Sequence, residues 1–224
     1  KRLHIPQPNT VIAADNFKTE IRNTPQRTFI TGSEWLYLKI YCGTNSAERI
    51  LKEVINPLTE ELKAEDKIEQ WFFIRYADPE NHIRIRFQHT KDPSFWKAVM
   101  ERFYALLNER FKDATIYKVQ TDTYNREIER YGADTIELSE YVFSYDSEAV
   151  IHCIDLLSDE DGEKFRWLLC MRGIDMLLDD FNYQLEEKAA LLKMLQQDFL
   201  TEFGGNKELN NLLNDKYREN MQQI

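Results

Sequence analysis

The chain has 224 residues, 42% hydrophobic and 30% charged, long enough to bury a substantial core in one domain or two small ones. Its formal net charge of −10 argues against a global basic field that would hold nucleic acid. Only seven glycines and six prolines leave little material for phosphate-cradling loops or long linkers.

Cys42, Cys153 and Cys170 are odd in number and show no CxxC spacing. They read as reduced, mostly buried thiols, not as a disulfide frame or zinc site. Four histidines (His4, His82, His89, His152) supply little for a metal centre, and none is expected. No apolar run reaches membrane-spanning length and no signal peptide opens the chain, so a cytoplasmic location is expected.

Residues 1–33 are polar and weakly periodic, with Pro6, Pro8 and Pro25, and read as an arm or linker from a preceding domain. A turn is expected at Thr31-Gly32-Ser33. Residues 34–224 read as one α+β domain, with a sheet part over 34–122 and a helical part over 123–224. Trp35–Cys42 alternates Leu36, Leu38 and Ile40 against Trp35, Tyr37, Lys39 and Tyr41, a strand pattern. A helix should follow from the cap candidates Thr44–Ser46, with Ile50, Leu51, Val54, Ile55, Leu58 and Leu62 on its stripe and a kink or restart at Pro57. Trp71–Phe87 holds two aromatic and β-branched runs around ADPEN, a β-hairpin signature. Asp92-Pro93 opens a second helix carrying Phe95, Val99, Phe103, Leu106, Leu107 and Phe111. Thr115–Gln120 reads as a fourth strand. The order β-α-β-β-α-β fits a ferredoxin-like sheet layer with short right-handed crossovers. Beyond Tyr124 the pattern turns helical: Asn125–Gly132, then Glu137–Tyr145 and Ser147–Leu157 as two helices, the second capped by Asp146 or Ser147. Phe165–Phe181, Gln184–Phe203 and Lys207–Met221 follow, broken at Asn182 and Gly204-Gly205.

In the second hairpin strand, Ile83, Ile85 and Phe87 face one way while His82, Arg84 and Arg86 face the other. Like charges at i, i+2 and i+4 need an anionic partner, either a bound carboxylate or phosphate or neighbouring Glu and Asp side chains. Both readings stand at this point, and the second is the more common arrangement in proteins. Guanidinium groups bind and stabilise charge and do not move protons. His82 could titrate near neutrality or be a plain exposed histidine beside a turn. A helical NREIERYG would set Arg126 and Arg130 on one face at i, i+4, and Tyr124 or Tyr131 could donate to an anion or pack at a rim. No GxSxG, Walker loop or HExxH is present.

Four blocks in succession, SEWLYLKIY (Ser33–Tyr41), WFFIRYADPENHIRIRF (Trp71–Phe87), TYNREIERYG (Thr123–Gly132) and FSYDSEAV (Phe143–Val150), carry a family likeness. Together they resemble the C-terminal, glutamate-eliminating domain of class I lantibiotic dehydratases, a family that includes stand-alone thiopeptide-type bacteriocin biosynthesis proteins. The resemblance spans roughly residues 28–224. It implies a lyase that removes glutamate from glutamylated Ser or Thr of a ribosomal precursor peptide, leaving dehydroalanine or dehydrobutyrine. It implies no cofactor here; glutamyl-tRNA would serve an N-terminal glutamylation domain, partnered in cis or in trans. It assigns catalytic roles to Arg84, Arg86 and Arg130 and substrate-binding roles to His82 and Tyr131. The precursor peptide is the implied partner, with no direct nucleic-acid binding and no membrane insertion, and a homodimer is compatible with it.

One departure stands out. The family carries a histidine in an H-M-x-x-N-R-like element near its C-terminus, and no histidine follows His152 here. Either the sequence stops short of that element after KYRENMQQI, the favoured expectation, which would leave the fragment catalytically incomplete, or a different group handles the proton. Two further functions fit the same blocks: a thiopeptide pyridine-forming [4+2] cyclase, and a non-catalytic module that binds the precursor peptide.

Overall fold

The computed structural model describes residues 24–111, 115–157 and 160–221. The first part of the arm and the last three residues lie outside that set. The chain divides into two compact units, Lys1–Glu148 and Ala149–Ile224.

The first unit is built on a four-stranded antiparallel sheet. Its strands are β2 (Trp35–Cys42), β3 (Gln70–Ala77), β4 (Asn81–Gln88) and β5 (Ile116–Asp122), in the order β3-β4-β2-β5. Neighbours all run antiparallel, so each helical crossover joins two like-directed strands with an antiparallel one between them. A two-stranded ribbon adds β1 (Thr28–Phe29) and β6 (Tyr124–Asn125). The segment expected as a bare arm therefore contributes a strand, and its turn does fall at residues 31–33, where Gly32 adopts φ +96° and the Ser33 amide donates to the Ile30 carbonyl.

The first crossover is helical from residue 44 to 64, but not uniformly. A 3₁₀ turn at Thr44–Ser46 leads into α1 (Ala47–Ile50), a π-helical stretch at Leu51–Ile55 and α2 (Asn56–Ala64). Of the kink or restart expected at Pro57, the restart forms: α2 begins at Asn56 with Pro57 in its first turn, directly after that wider stretch. Proline lacks an amide hydrogen and its ring crowds the carbonyl four residues back, and an i→i+5 stretch just before it relieves both. The second helix, α3 (Phe95–Arg110), starts two residues later than Pro93 suggested, because Asp92 Oδ1 accepts from the Ser94 amide and hydroxyl and holds Asp92–Ser94 as a turn. Phe111 falls just beyond its end.

Alternation sorts the sheet residues as expected. Leu36, Leu38, Ile40, Ile83, Ile85 and Phe87 are buried with Ile50, Leu51, Val54, Ile55, Leu58 and Leu62 of the first crossover and Phe95, Val99 and Phe103 of α3. Burying each such side chain contributes roughly 1.5–3 kcal/mol, so this layer is the main source of stability in the unit.

Three helical expectations need correction. NREIERYG is not one helix: β6 takes Asn125, and only Ile128–Tyr131 forms a turn (α4), ended by Gly132 at φ +81°. The two helices expected at 137–145 and 147–157 are a single helix, α5 (Ile136–Leu156). Ser147 lies inside it, buried, and its hydroxyl accepts the Phe73 amide at the outer edge of β3; it caps a strand edge, not a helix. Of the cysteines, Cys42 is buried, Cys153 half-buried and Cys170 exposed, so the expectation of mostly buried thiols holds fully only for Cys42.

The second unit contains the end of α5 and three helices, α6 (Glu160–Asp180), α7 (Leu185–Glu202) and α8 (Lys207–Asn220). The expected breaks are present, with Asn182 at φ +58° and Gly204 at φ +65°. Gln184 and Glu187 form a capping box at the start of α7, Asn206 caps α8, and Lys188 joins both Asp175 and Asp179 at 2.6 Å. No helix among the described residues is long and apolar enough to cross a membrane.

Candidate active site on the arginine-bearing sheet face

The face opposite the two crossover helices is read in rows across the sheet. Register sets Phe72, Arg86, Tyr37 and Asp122 in one row, Ile74, Arg84, Lys39 and Gln120 in the next, and Tyr76, His82, Tyr41 and Lys118 in the third. The row holding Arg86 is covered. Phe29, Trp35, Tyr37, Phe72 and Tyr124 form a second buried cluster, with Phe143 of α5 packed against it. The other two rows are open on the β3 side, with Ile74 49% and Tyr76 40% exposed, while His82 and Tyr41 are buried.

Arg86 lies inside that cluster. Its guanidinium carbon is 4.3 Å from the Tyr37 ring centroid, 4.7 Å from Tyr124 and 5.1 Å from Phe72. Its Nε and Nη1 are buried without a hydrogen-bond partner. Burial pulls its pKa below the usual arginine value, while Tyr37, Tyr124 and Glu127 work the other way. An arginine stays charged even so, leaving a cation held by ring faces with donors unsatisfied. Burial pushes the Tyr37 phenol up, against the pull of Arg86, Arg84 and Lys39. Burial and the carboxylate of Glu140 push Tyr124 up further. Both tyrosines therefore remain phenols at neutral pH and are not bases.

Arg84 is placed differently. Its Nε donates to Nε2 of His82 at 2.9 Å, and its guanidinium carbon sits 3.5 Å from the Tyr76 ring centroid. Among the described residues Arg84 makes no other hydrogen bond, and neither Arg84 nor Arg86 forms a salt bridge, although Asp122 lies near enough to feel the Arg84 charge. The acidic residue nearest in the rows, Asp122, is taken by Lys39, and the Asp122 carboxyl lies below its usual range because that pairing and the Thr123 amide outweigh its partial burial. His82 is buried, not exposed as one reading of its position allowed, and it stacks on Tyr41 at 4.8 Å.

Arg126 and Arg130 part company. Arg126 is 4% exposed, and its Nε and Nη2 meet the two carboxylate oxygens of fully buried Glu140 at 2.8 and 2.7 Å. Tyr124 donates its hydroxyl to the same carboxylate at 2.7 Å. Burial by itself would lower the Arg126 pKa, but the Glu140 hydrogen bonds and charge raise it overall. Arg126 is thus a strut that fixes Tyr124 over Arg86. Arg130 is 65% exposed and meets Glu127 at 3.5 Å across one turn of α4, a contact that holds it weakly. Tyr131 next to it packs edge-on against Phe143 at 5.2 Å, and Phe143 against Phe72 at 5.5 Å. Tyr131 therefore stands at the rim of the aromatic cluster around Arg86, two ring contacts away, and Glu127 links Arg130 to the charge at Arg86. Glu140 is the member that sequence reasoning missed. Its signal was available: it follows Ile136 by four and precedes Phe143 by three, a carboxylate on the inward stripe of a helix.

Among the described residues no group of three or more His, Cys, Asp or Glu side chains is placed to hold a metal ion. What the face offers is fixed positive charge in a partly water-excluded setting, the arrangement that stabilises developing negative charge.

In class, this is an α+β fold with arginines gathered on one sheet face. The sequence places it more narrowly: residues 35–224 match the family described as lantibiotic biosynthesis dehydratase C-term, and the chain belongs to that family. It is 29% identical over 179 residues to the subtilin biosynthesis protein SpaB of Bacillus subtilis, covering 79% of this chain and 17% of that protein. It is 31% identical over 132 residues to the nisin biosynthesis protein NisB of Lactococcus lactis subsp. lactis, covering 58% of this chain and 13% of that one. A solved structure, the tRNA-dependent lantibiotic dehydratase MibB from Microbispora sp. 107891, superposes with a TM-score of 0.52 at 28% identity, over 58% of this chain and 13% of MibB. The chain thus spans less than a fifth of the length of SpaB, NisB and MibB.

Proposed function

We propose that this chain is the glutamate-eliminating lyase part of a peptide dehydratase, acting on Ser or Thr side chains of a precursor peptide already esterified with glutamate by a glutamylation domain in cis or in trans. A base takes the α-proton of the esterified residue, and the electron pair becomes the Cα–Cβ double bond. The Cβ–O bond breaks and glutamate leaves as a carboxylate, so dehydroalanine or dehydrobutyrine remains. Negative charge grows on the peptide carbonyl and on the leaving group, and each needs a fixed cation nearby. Arg84, whose terminal nitrogens make no hydrogen bond among the described residues, suits the leaving carboxylate; Arg86, largely desolvated in its cage, supplies field where water is excluded. Arg130 and Tyr131 stand at the rim, where the peptide enters. No cofactor takes part in this scheme.

The observation that supports this most is that, among the described residues, neither Arg84 nor Arg86 forms a salt bridge with a carboxylate, while Lys39 holds Asp122 beside them. The test uses the full-length protein with glutamylated precursor peptide, followed by mass. Arg84→Ala and Arg130→Ala should each accumulate glutamylated peptide; complete dehydration by both variants would remove the basis for the assignment.

A further inference from the structure

His82 is buried at the hairpin end of β4, and both of its ring nitrogens are committed. Nδ1 lies 2.7 Å from the Glu80 carbonyl oxygen, which can only accept. Nε2 lies 2.9 Å from Nε of Arg84, which can only donate. One protonation state satisfies both contacts: the neutral ring with its hydrogen on Nδ1 and a bare lone pair on Nε2. An imidazolium would have no acceptor for Arg84 and would set two cations in contact.

We infer that His82 is a positioning residue that holds Arg84, through the lone pair on Nε2, with its two terminal nitrogens turned toward an incoming carboxylate. The inference rests on the reading of this face as an anion site. It removes His82 from the substrate-binding set, since no ring atom is left to meet a ligand. Three contacts define the Arg84 guanidinium plane. Its inner nitrogen is tied to His82, its carbon rests 3.5 Å from the Tyr76 centroid, and Tyr76 itself packs against His82 at 5.6 Å. Tyr41 closes the other side of the imidazole at 4.8 Å, and Lys118 lies 4.4 Å over Tyr41. Lys39, directly across from Arg84, would repel it, but Asp122 holds Lys39 to the far side of β2. A guanidinium fixed along one edge loses little further freedom when the opposite edge takes a carboxylate through paired bonds.

Two measurements on the full-length protein decide this. Side-chain ¹⁵N NMR at neutral pH should show an unprotonated Nε2 on His82 and an Arg84 Nε–H protected from solvent exchange. A protonated Nε2, or a freely exchanging Arg84 Nε–H, overturns the inference. His82→Asn keeps a donor for the Glu80 carbonyl and loses the acceptor for Arg84; His82→Gln puts an acceptor back at the ε position. With thermal unfolding matched to the unmodified protein, His82→Asn should lower the rate of glutamate loss from glutamylated peptide by about 10- to 100-fold, and His82→Gln should restore most of it. A rate for His82→Asn equal to the unmodified protein counts against the positioning role. If the unmodified protein releases no glutamate, the lyase reading falls, and the NMR measurement still decides how Arg84 is held.

Discussion

Glu140 touches no part of the open face, yet the position of Arg86 depends on it. Its carboxylate receives Tyr124, and Tyr124 is one of the three rings around the guanidinium. Removing one partner of a buried ion pair leaves the other charge stranded. Glu140→Ala should therefore destabilise the protein by about 3–5 kcal/mol, measured by urea unfolding. Tyr124→Phe, which loses one hydrogen bond to a charged acceptor and keeps the ring, should cost about 1.5–3 kcal/mol. An effect of Glu140→Ala no larger than that of Tyr124→Phe would show that the Arg126 pair is not the main tie. Sequence made Arg84 and Arg86 legible because strand alternation is a property of neighbours in the chain. It left Arg126 and Arg130 as an apparent pair because the partner that separates them, Glu140, is distant from both along the chain.

Elements were legible where a single local rule decided them and obscure where two segments shared a bond. The hairpin, the strand β2 and the breaks at Asn182 and Gly204 follow from turn chemistry and alternation alone. Ser147 looked like a cap because serine beside aspartate usually is one; the bond it makes is instead to the Phe73 amide, 74 residues away, which occupies an otherwise open donor on the edge strand β3. Ser147→Ala should leave that amide without its partner, lower stability by about 1–3 kcal/mol and raise hydrogen exchange at Phe73. Unchanged exchange there would mean the edge is covered by packing alone. The ribbon of β1 and β6 is tied to α4 by Arg27, which holds Glu129 through two hydrogen bonds and lowers its pKa from 4.5 to about 2. A carboxyl depressed in the folded state adds stability above its unfolded pKa and loses it as pH falls through the folded value. The tie should accordingly be intact above about pH 4.5 and gone near pH 2. Both groups are exposed, so the effect is a small one. Carboxyl NMR should report the low Glu129 midpoint, and Arg27→Ala should return it to the ordinary glutamate range.

At the scale of the whole molecule, the chain is acidic on average while one sheet face of the described residues is basic. Its net charge is −10, while Lys39, Arg84, Arg86 and Lys118 share one sheet face with Asp122 as the acidic member of the same rows. Composition gave the average, and only the register could show that the exceptions converge. A peptide of net negative charge should feel repulsion at long range and attraction of its carboxylates within a few ångströms of the face. Salt screens the two unequally, because the Debye length is about 8 Å at physiological ionic strength and Arg86 is buried among rings. Raising salt from about 50 to about 500 mM should then leave the association rate of such a peptide level or slightly faster, as the far-field repulsion is removed. Dissociation should quicken, since exposed contacts at Arg130 and Lys118 weaken while those at Arg86 persist. Stopped-flow binding with fluorescent glutamylated peptide separates the two rates. An association rate that drops steeply with salt would reveal a long-range positive field steering the ligand, and a face that attracts only at contact could not produce it.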